Sequence, residues 1–140
     1  SFKKCCSELG LKVCAVYENG DSKQQTYQLT QKILTDNPDC RVIYITSFNS
    51  VSACRCIRNM NLDKKVKVIA HDIYPEMVKY MNNGQILASI YQNPILMGKT
   101  AVSMAFNHIA GDKSESGIKT IRPEIILKNN MSCYPELKSQ

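Results

Sequence analysis

Short apolar runs alternate with amphipathic stretches along the chain. Residues 11–17, with Leu11, Val13, Val16 and Tyr17, predict a strand. Residues 21–36 predict a helix: Ser22 and Gln25 form a capping-box pair, and Tyr27, Leu29, Ile33 and Leu34 supply an apolar face. Asn37 and Pro38 end it. The β-branched run 41–46 predicts a second strand and 51–60 a helix, with Ser50 placed as its N-cap. Residues 66–70 predict a third strand. The next helix opens on Pro75 and closes at Gly84, with Met77, Val78 and Met81 inward. A fourth strand spans 86–91, and a long helix spans 94–110, stopped by Gly111. Beyond a polar loop at 112–117, residues 123–127 predict a last strand, and the tail from 131 is expected to fray.

This order predicts an α/β fold, a three-layer lobe around a largely parallel sheet. Right-handed crossovers then bring the carboxyl ends of the strands to one edge, where ligands of such sheets bind. Three polar residues follow successive strands about 20 residues apart: Asn49, Asp72 and Gln92. Phe48, Tyr74 and Tyr91 lie beside them as apolar faces. Amides and a carboxylate pair with hydroxyls, and aromatic rings take the C–H face of a sugar, so the set suits a neutral polyhydroxylated ligand. The same residue types also serve as turn formers and helix caps, and spacing alone does not decide between the two. The loop 17–22 reaches the same edge.

Composition narrows the field. The 140 residues fit one domain, 44% of them are hydrophobic, and no apolar run reaches the length of a membrane span. The start does not lead into the apolar core of a signal peptide. A net charge of +6 is spread thinly: residues 1–70 hold eleven basic and six acidic side chains, and 71–140 seven and six. With neither a clustered basic face nor a reading element, the charge reads as a solvated surface rather than a nucleic-acid site. Seven cysteines, an odd number without zinc-site spacing, read as free thiols and predict a cytoplasmic protein.

Other chemistries fit poorly. Gly98, Lys99 and Thr100 imitate the end of a phosphate loop, but Asn93 stands where its first glycine belongs. His71 and His108 sit on different elements and make no metal pair, and no nucleophile signature appears. The chain is therefore expected to be no enzyme and to need neither cofactor nor metal.

Val68 to Asp72 followed by Pro75 and Glu76, Asn83 with Gly84 and Ile86, and Gln92 with Asn93, Pro94 and Gly98 stand in a specific order. The series resembles the carboxyl-terminal half of type 1 periplasmic sugar-binding proteins, and more closely the effector-binding region of lactose-repressor-type transcription regulators. Residues 124–130 are similar to the family's last strand, and 2–10 to the helix leading into its second lobe. The resemblance implies a ligand held between two lobes, with Asn49, Asp72 and Gln92 as contacts from this one. Where the family commonly shows Asn-Asp, this chain has Asn49 and Ser50.

It further implies that 1–130 is a carboxyl-terminal lobe, with a first lobe and a DNA-binding domain expected ahead of Ser1, and 131–140 a flexible tail. The expected function is effector binding in a cytoplasmic, dimeric transcription regulator, touching DNA only through that missing domain and no membrane. The alternatives are the substrate-binding component of a sugar transporter and a small flavodoxin-like enzyme or signalling domain. The helix at 94–110 is too apolar for water; it is expected to fold back on the sheet or to swap with a second copy.

Overall fold

The computed structural model describes residues 2–111, 117–134 and 137. Its elements run α1 (Phe2–Glu8), α2 (Lys23–Asp36), β1 (Val42–Tyr44), α3 (Ser50–Asn59), β2 (Lys67–His71), a 3-10 turn (Pro75–Met77), α4 (Val78–Asn82), β3 (Ile86–Tyr91), α5 (Pro94–Ile109), β4 (Glu124–Ile126) and a 3-10 segment (Lys128–Cys133). The sheet order is β1-β2-β3-β4, with the first three strands parallel and β4 antiparallel to β3. The expected α/β class with a mostly parallel sheet is what forms.

Alternation along the strands sets the two faces of the sheet. Ile43, Val68, Ala70, Ile86, Ser89 and Tyr91 point to a buried face, where α3 and α4 supply Ala53, Cys54, Ile57 and Met81, joined by Met77 from the turn before α4. Burial of side chains such as Ile57, Met77 and Met81 contributes about 2 kcal/mol each. The opposite face is only half covered: Tyr44, Ile69, His71, Ala88 and Ile90 keep part of their surface, and Phe2 of α1 stacks on Tyr44 at 4.7 Å.

Local chemistry explains most boundaries. Ser22 caps α2 by accepting from the Gln25 N–H at 3.2 Å, and the Asn37 side chain donates to the Ile33 carbonyl at the other end. Gly84 takes φ 74° in the turn into β3, a conformation costly for other residues.

The structure differs from expectation in four places. Residues 11–17 form no strand: among the described residues no ladder partner lies alongside, and Leu11, Val13, Val16 and Tyr17 stay exposed. Ser50 is the first residue inside α3 and Asn49 holds the cap position, and the Ser50 hydroxyl bonds Tyr74 rather than the helix N-terminus. The chain beyond Asn130 does not fray as far as it is described. Met131 is buried, Tyr134 packs edge-on against Tyr91 at 5.5 Å, and its hydroxyl donates to Glu124 at 2.7 Å. Finally, α5 forms as expected and, of the two fates expected for it, does not take the fold-back onto the sheet: none of its residues is buried. Of the expected polar loop, 112–116 lies outside the described residues, as do 135, 136 and 138–140 of the tail.

Candidate functional site

Because β1, β2 and β3 run parallel, the segments that leave them emerge on one edge. The loop after β1 carries Phe48 and Asn49, the turn after β2 carries Asp72 and Tyr74, and Gln92 follows β3 directly.

Asp72 is the most firmly placed. Its φ of 53° is left-handed, a region that Asp enters more easily than most residues. The bend lets its N–H donate to the Ile90 carbonyl at 2.8 Å, one residue past the end of β2, while its carbonyl accepts from Ser89 Oγ at 2.5 Å. One carboxylate oxygen accepts from the Gln92 N–H at 3.1 Å. Among the described residues nothing bonds the other oxygen, so it remains available at the edge. The next residue but one in β3's exit, Asn93, repeats the left-handed bend at φ 54° and caps α5 by accepting from the Leu96 N–H.

Asn49 is 6% exposed, yet its side chain makes no hydrogen bond among the described residues, and both amide atoms retain contact with solvent. A nearly buried amide left with free donors and an acceptor is an uncommon arrangement unless something else supplies the partner. Beside it, the Phe48 and Tyr74 rings lie 4.2 Å apart at 31°. Tyr74 is held by Ser50 Oγ at 2.9 Å and by the Val51 N–H at 3.3 Å; burial pushes its phenol pKa up, and those two bonds oppose the shift. The departure at Ser50 thus has a structural use. Phe48 is left 57% exposed as the apolar face of the group.

The structure therefore brings Asn49, Asp72 and Gln92 to one edge together with Phe48 and Tyr74. Tyr91 is different. It shares the buried face with Ser89, is 3% exposed, and its ring meets Tyr134, so it belongs to the core rather than the rim.

Sequence reasoning missed three contributors. Asn19 donates to Ser47 Oγ at 2.7 Å and to Thr26 Oγ1 at 2.8 Å, which fixes the loop 17–22 beside the exit of β1. The Asn19-Gly20 pair was the available signal, since it marks a turn. Tyr44 and His71, on neighbouring strands, bond each other through Oη and Nε2 at 2.5 Å, and His71 Nδ1 lies 3.4 Å from Gln92 Nε2. Strand register, which sequence does not display, creates that contact.

The remaining candidates fall away from the rim. Lys99 and Thr100 lie inside α5 rather than in a loop, and His108 is in its last turn. Among the described residues no group of His, Cys, Asp or Glu could hold a metal ion, and no helix is long and apolar enough to cross a membrane. At the rim the Phe48 ring stays exposed. Recesses of about 580 and 710 Å³ lie elsewhere, one beside Lys3, Leu11 and Val13 and one along Leu96, Val102 and Phe106 of α5.

Over residues 1–113 the sequence matches the periplasmic binding protein domain. The chain belongs to that family. It is a family of binding proteins rather than of enzymes, and the similar solved structures agree in fold. The glucose-galactose binding protein GanP from Geobacillus stearothermophilus is 26% identical, with a TM-score of 0.81, over 89% of this chain and 44% of its own. The Caulobacter myo-inositol binding protein, solved with myo-inositol, is 28% identical, with a TM-score of 0.77, over 91% and 44%. A transporter solute-binding protein from Agrobacterium vitis, solved with α-D-tagatopyranose, shares the fold at a TM-score of 0.85 and 22% identity, over 94% and 44%. The chain thus spans less than half the length of each of these proteins. No curated protein matches the sequence.

Proposed function

We propose that this chain is a sugar-binding lobe of a transporter solute-binding protein, and that Asn49, Asp72 and Gln92 form one wall of its ligand cleft. The observation that carries this reading is the convergence itself. An unshared carboxylate oxygen on Asp72, the unpartnered Asn49 amide and the exposed Phe48 ring stand on one sheet edge. Asp72 accepts a hydrogen bond from a ligand hydroxyl, the Asn49 amide donates or accepts as the ligand's oxygens require, the Gln92 amide adds a second polar contact, and Phe48 with Tyr74 lies against the ligand's C–H face. Tyr91, buried against Tyr134, supports the rim from below and touches no ligand.

Transport is favoured over the transcription regulator that the motif series resembles, because the similar structures are binding proteins of glucose, galactose, inositol or tagatose. DNA contact and a cytoplasmic location, both expected with the regulator, are not part of this reading. A single wall covers only one side of a sugar, so tight binding requires a second wall that closes on it.

The test is isothermal calorimetry with D-glucose, D-galactose, D-xylose and myo-inositol, backed by amide chemical-shift mapping for weak binding. Shifts centred on Asn49, Asp72 and Gln92 are expected with at least one of these. Saturating shifts confined to α5, or none with any of the four, would refute the assignment.

A further inference from the structure

His71 is half-buried at the end of β2, directly before the rim carboxylate, and it lies between two polar neighbours. On β1 the Tyr44 hydroxyl is 2.5 Å from Nε2; after β3 the Gln92 amide nitrogen is 3.4 Å from Nδ1. Register puts these side chains together. Tyr44 pairs with Ile69 and His71 with Ile90, so Tyr44, His71 and Gln92 project from the same half-covered face.

As the Gln92 amide stands, with its nitrogen turned to Nδ1, one assignment of donors and acceptors follows. An amide nitrogen only donates, so Nδ1 must accept, which puts the imidazole proton on Nε2 and makes the Tyr44 oxygen its acceptor. With its NH2 turned inward to Nδ1, Gln92 presents its Oε1 outward, as an acceptor. Protonation of the ring changes this. Nδ1 then carries a proton and can no longer accept, so the amide turns over, offers Oε1 to Nδ1 and presents its NH2 outward, as a donor.

We propose that His71 is the positioning residue that sets whether Gln92 meets a ligand as acceptor or donor, with Tyr44 fixing the tautomer, so that ligand preference follows pH. This rests on the sugar-binding reading of the rim. Asp72 beside it only accepts, so in the neutral state two acceptors compete for one ligand hydroxyl proton. In the protonated state a donor stands next to an acceptor, and one hydroxyl satisfies both. Among the described residues the titratable group facing His71 is the Tyr44 phenol, whose pKa burial raises and which therefore stays neutral, while the Asp72 carboxylate that follows His71 bonds the Gln92 N–H. From β3, Ile90 stands opposite His71 in the ladder, and from α1 Phe2 stacks on Tyr44.

Two measurements on the full chain test this. The first needs no ligand: nitrogen-15 spectra of the His71 ring and the Gln92 side-chain amide are followed from pH 5.5 to 8. The expected result is an Nε2–H tautomer at high pH and a Gln92 amide shift with the same midpoint as His71. That shift is lost in His71→Phe, while Tyr44→Phe mixes the tautomers. An Nδ1–H tautomer, or a Gln92 signal that ignores the His71 titration, would overturn the proposal whatever the protein binds. The second is calorimetry with D-glucose, D-galactose, D-xylose and myo-inositol at both pH values. Affinity for a sugar that binds is expected to be about fivefold tighter at pH 5.5, the worth of one hydrogen bond, and level in His71→Phe. A level profile in the parent protein would overturn the inference and leave sugar binding standing. If no sugar binds at either pH, the sugar-binding reading fails, and the amide and ring signals still decide the coupling between His71 and Gln92.

Discussion

Asp72 does two separable things, and substitution can pull them apart. It accepts a hydrogen bond from the Gln92 N–H, and its backbone occupies a left-handed bend at φ 53°. Asp72→Ala loses the bond, worth about 1 kcal/mol at a half-exposed site. It also forces a residue without a local polar side chain into the bend, for about 1 kcal/mol more. Asp72→Gly loses the bond but relaxes the backbone, so the net cost is expected to be under about 1 kcal/mol. Asp72→Asn keeps an acceptor and tolerates the bend, and should stay within about 0.5 kcal/mol of the parent. Urea denaturation with a common slope ranks the three as Asn, Gly, Ala in falling stability. Ligand affinity should not follow that ranking. All three remove the charged acceptor, so each should weaken monosaccharide binding by at least about tenfold, Asn included. If affinity tracks stability instead, with Asp72→Asn binding like the parent, then Asp72 is a turn residue and the rim assignment fails.

Two further outcomes follow from burial. Cys54 is wholly enclosed and its thiol pKa is pushed up to about 12 from 9.0 by burial, so at pH 8 its thiolate fraction is about a thousandfold below that of an ordinary thiol. Iodoacetamide labelling followed by mass spectrometry should modify the exposed Cys5, Cys14 and Cys133 first and leave Cys54 untouched until the chain unfolds; early Cys54 alkylation would show that the α3 core opens readily. On α5, Phe106 is 69% and Ile109 84% exposed, so Phe106→Lys with Ile109→Lys should change the unfolding free energy from urea denaturation by less than about 0.5 kcal/mol. Sedimentation should show less self-association in that double variant; a large loss of stability would mean that this face is packed.

Much of the architecture was legible because its signals are local. The strand at 86–91 matches β3, the Ser22 cap was readable from Ser22 and Gln25, and the positions of Met77 and Met81 followed from helical spacing. The order of Asn49, Asp72 and Gln92 along the chain was enough to place them at strand exits. What escaped depends on partners distant in sequence. Residues 11–17 have strand composition, but composition does not reveal whether a neighbour is there to complete the ladder. Tyr91 looks like a rim aromatic until the pleat assigns it to the Ser89 face. Ser50 has the composition of a cap, yet Tyr74, 24 residues away, claims its hydroxyl. The His71 contacts needed the register of two strand pairs.

The sheet ends on its two shortest strands. β1 and β4 are three residues each, next to or containing a charge at Arg41 and Glu124. An open sheet polymerises by adding foreign strands to its borders, and borders this short offer few free backbone groups to a passing chain. Clumping of this protein should therefore proceed through greasy contacts along α5 and yield amorphous, dye-negative material instead of fibrils. A formulation chemist would change that helix and leave the sheet alone.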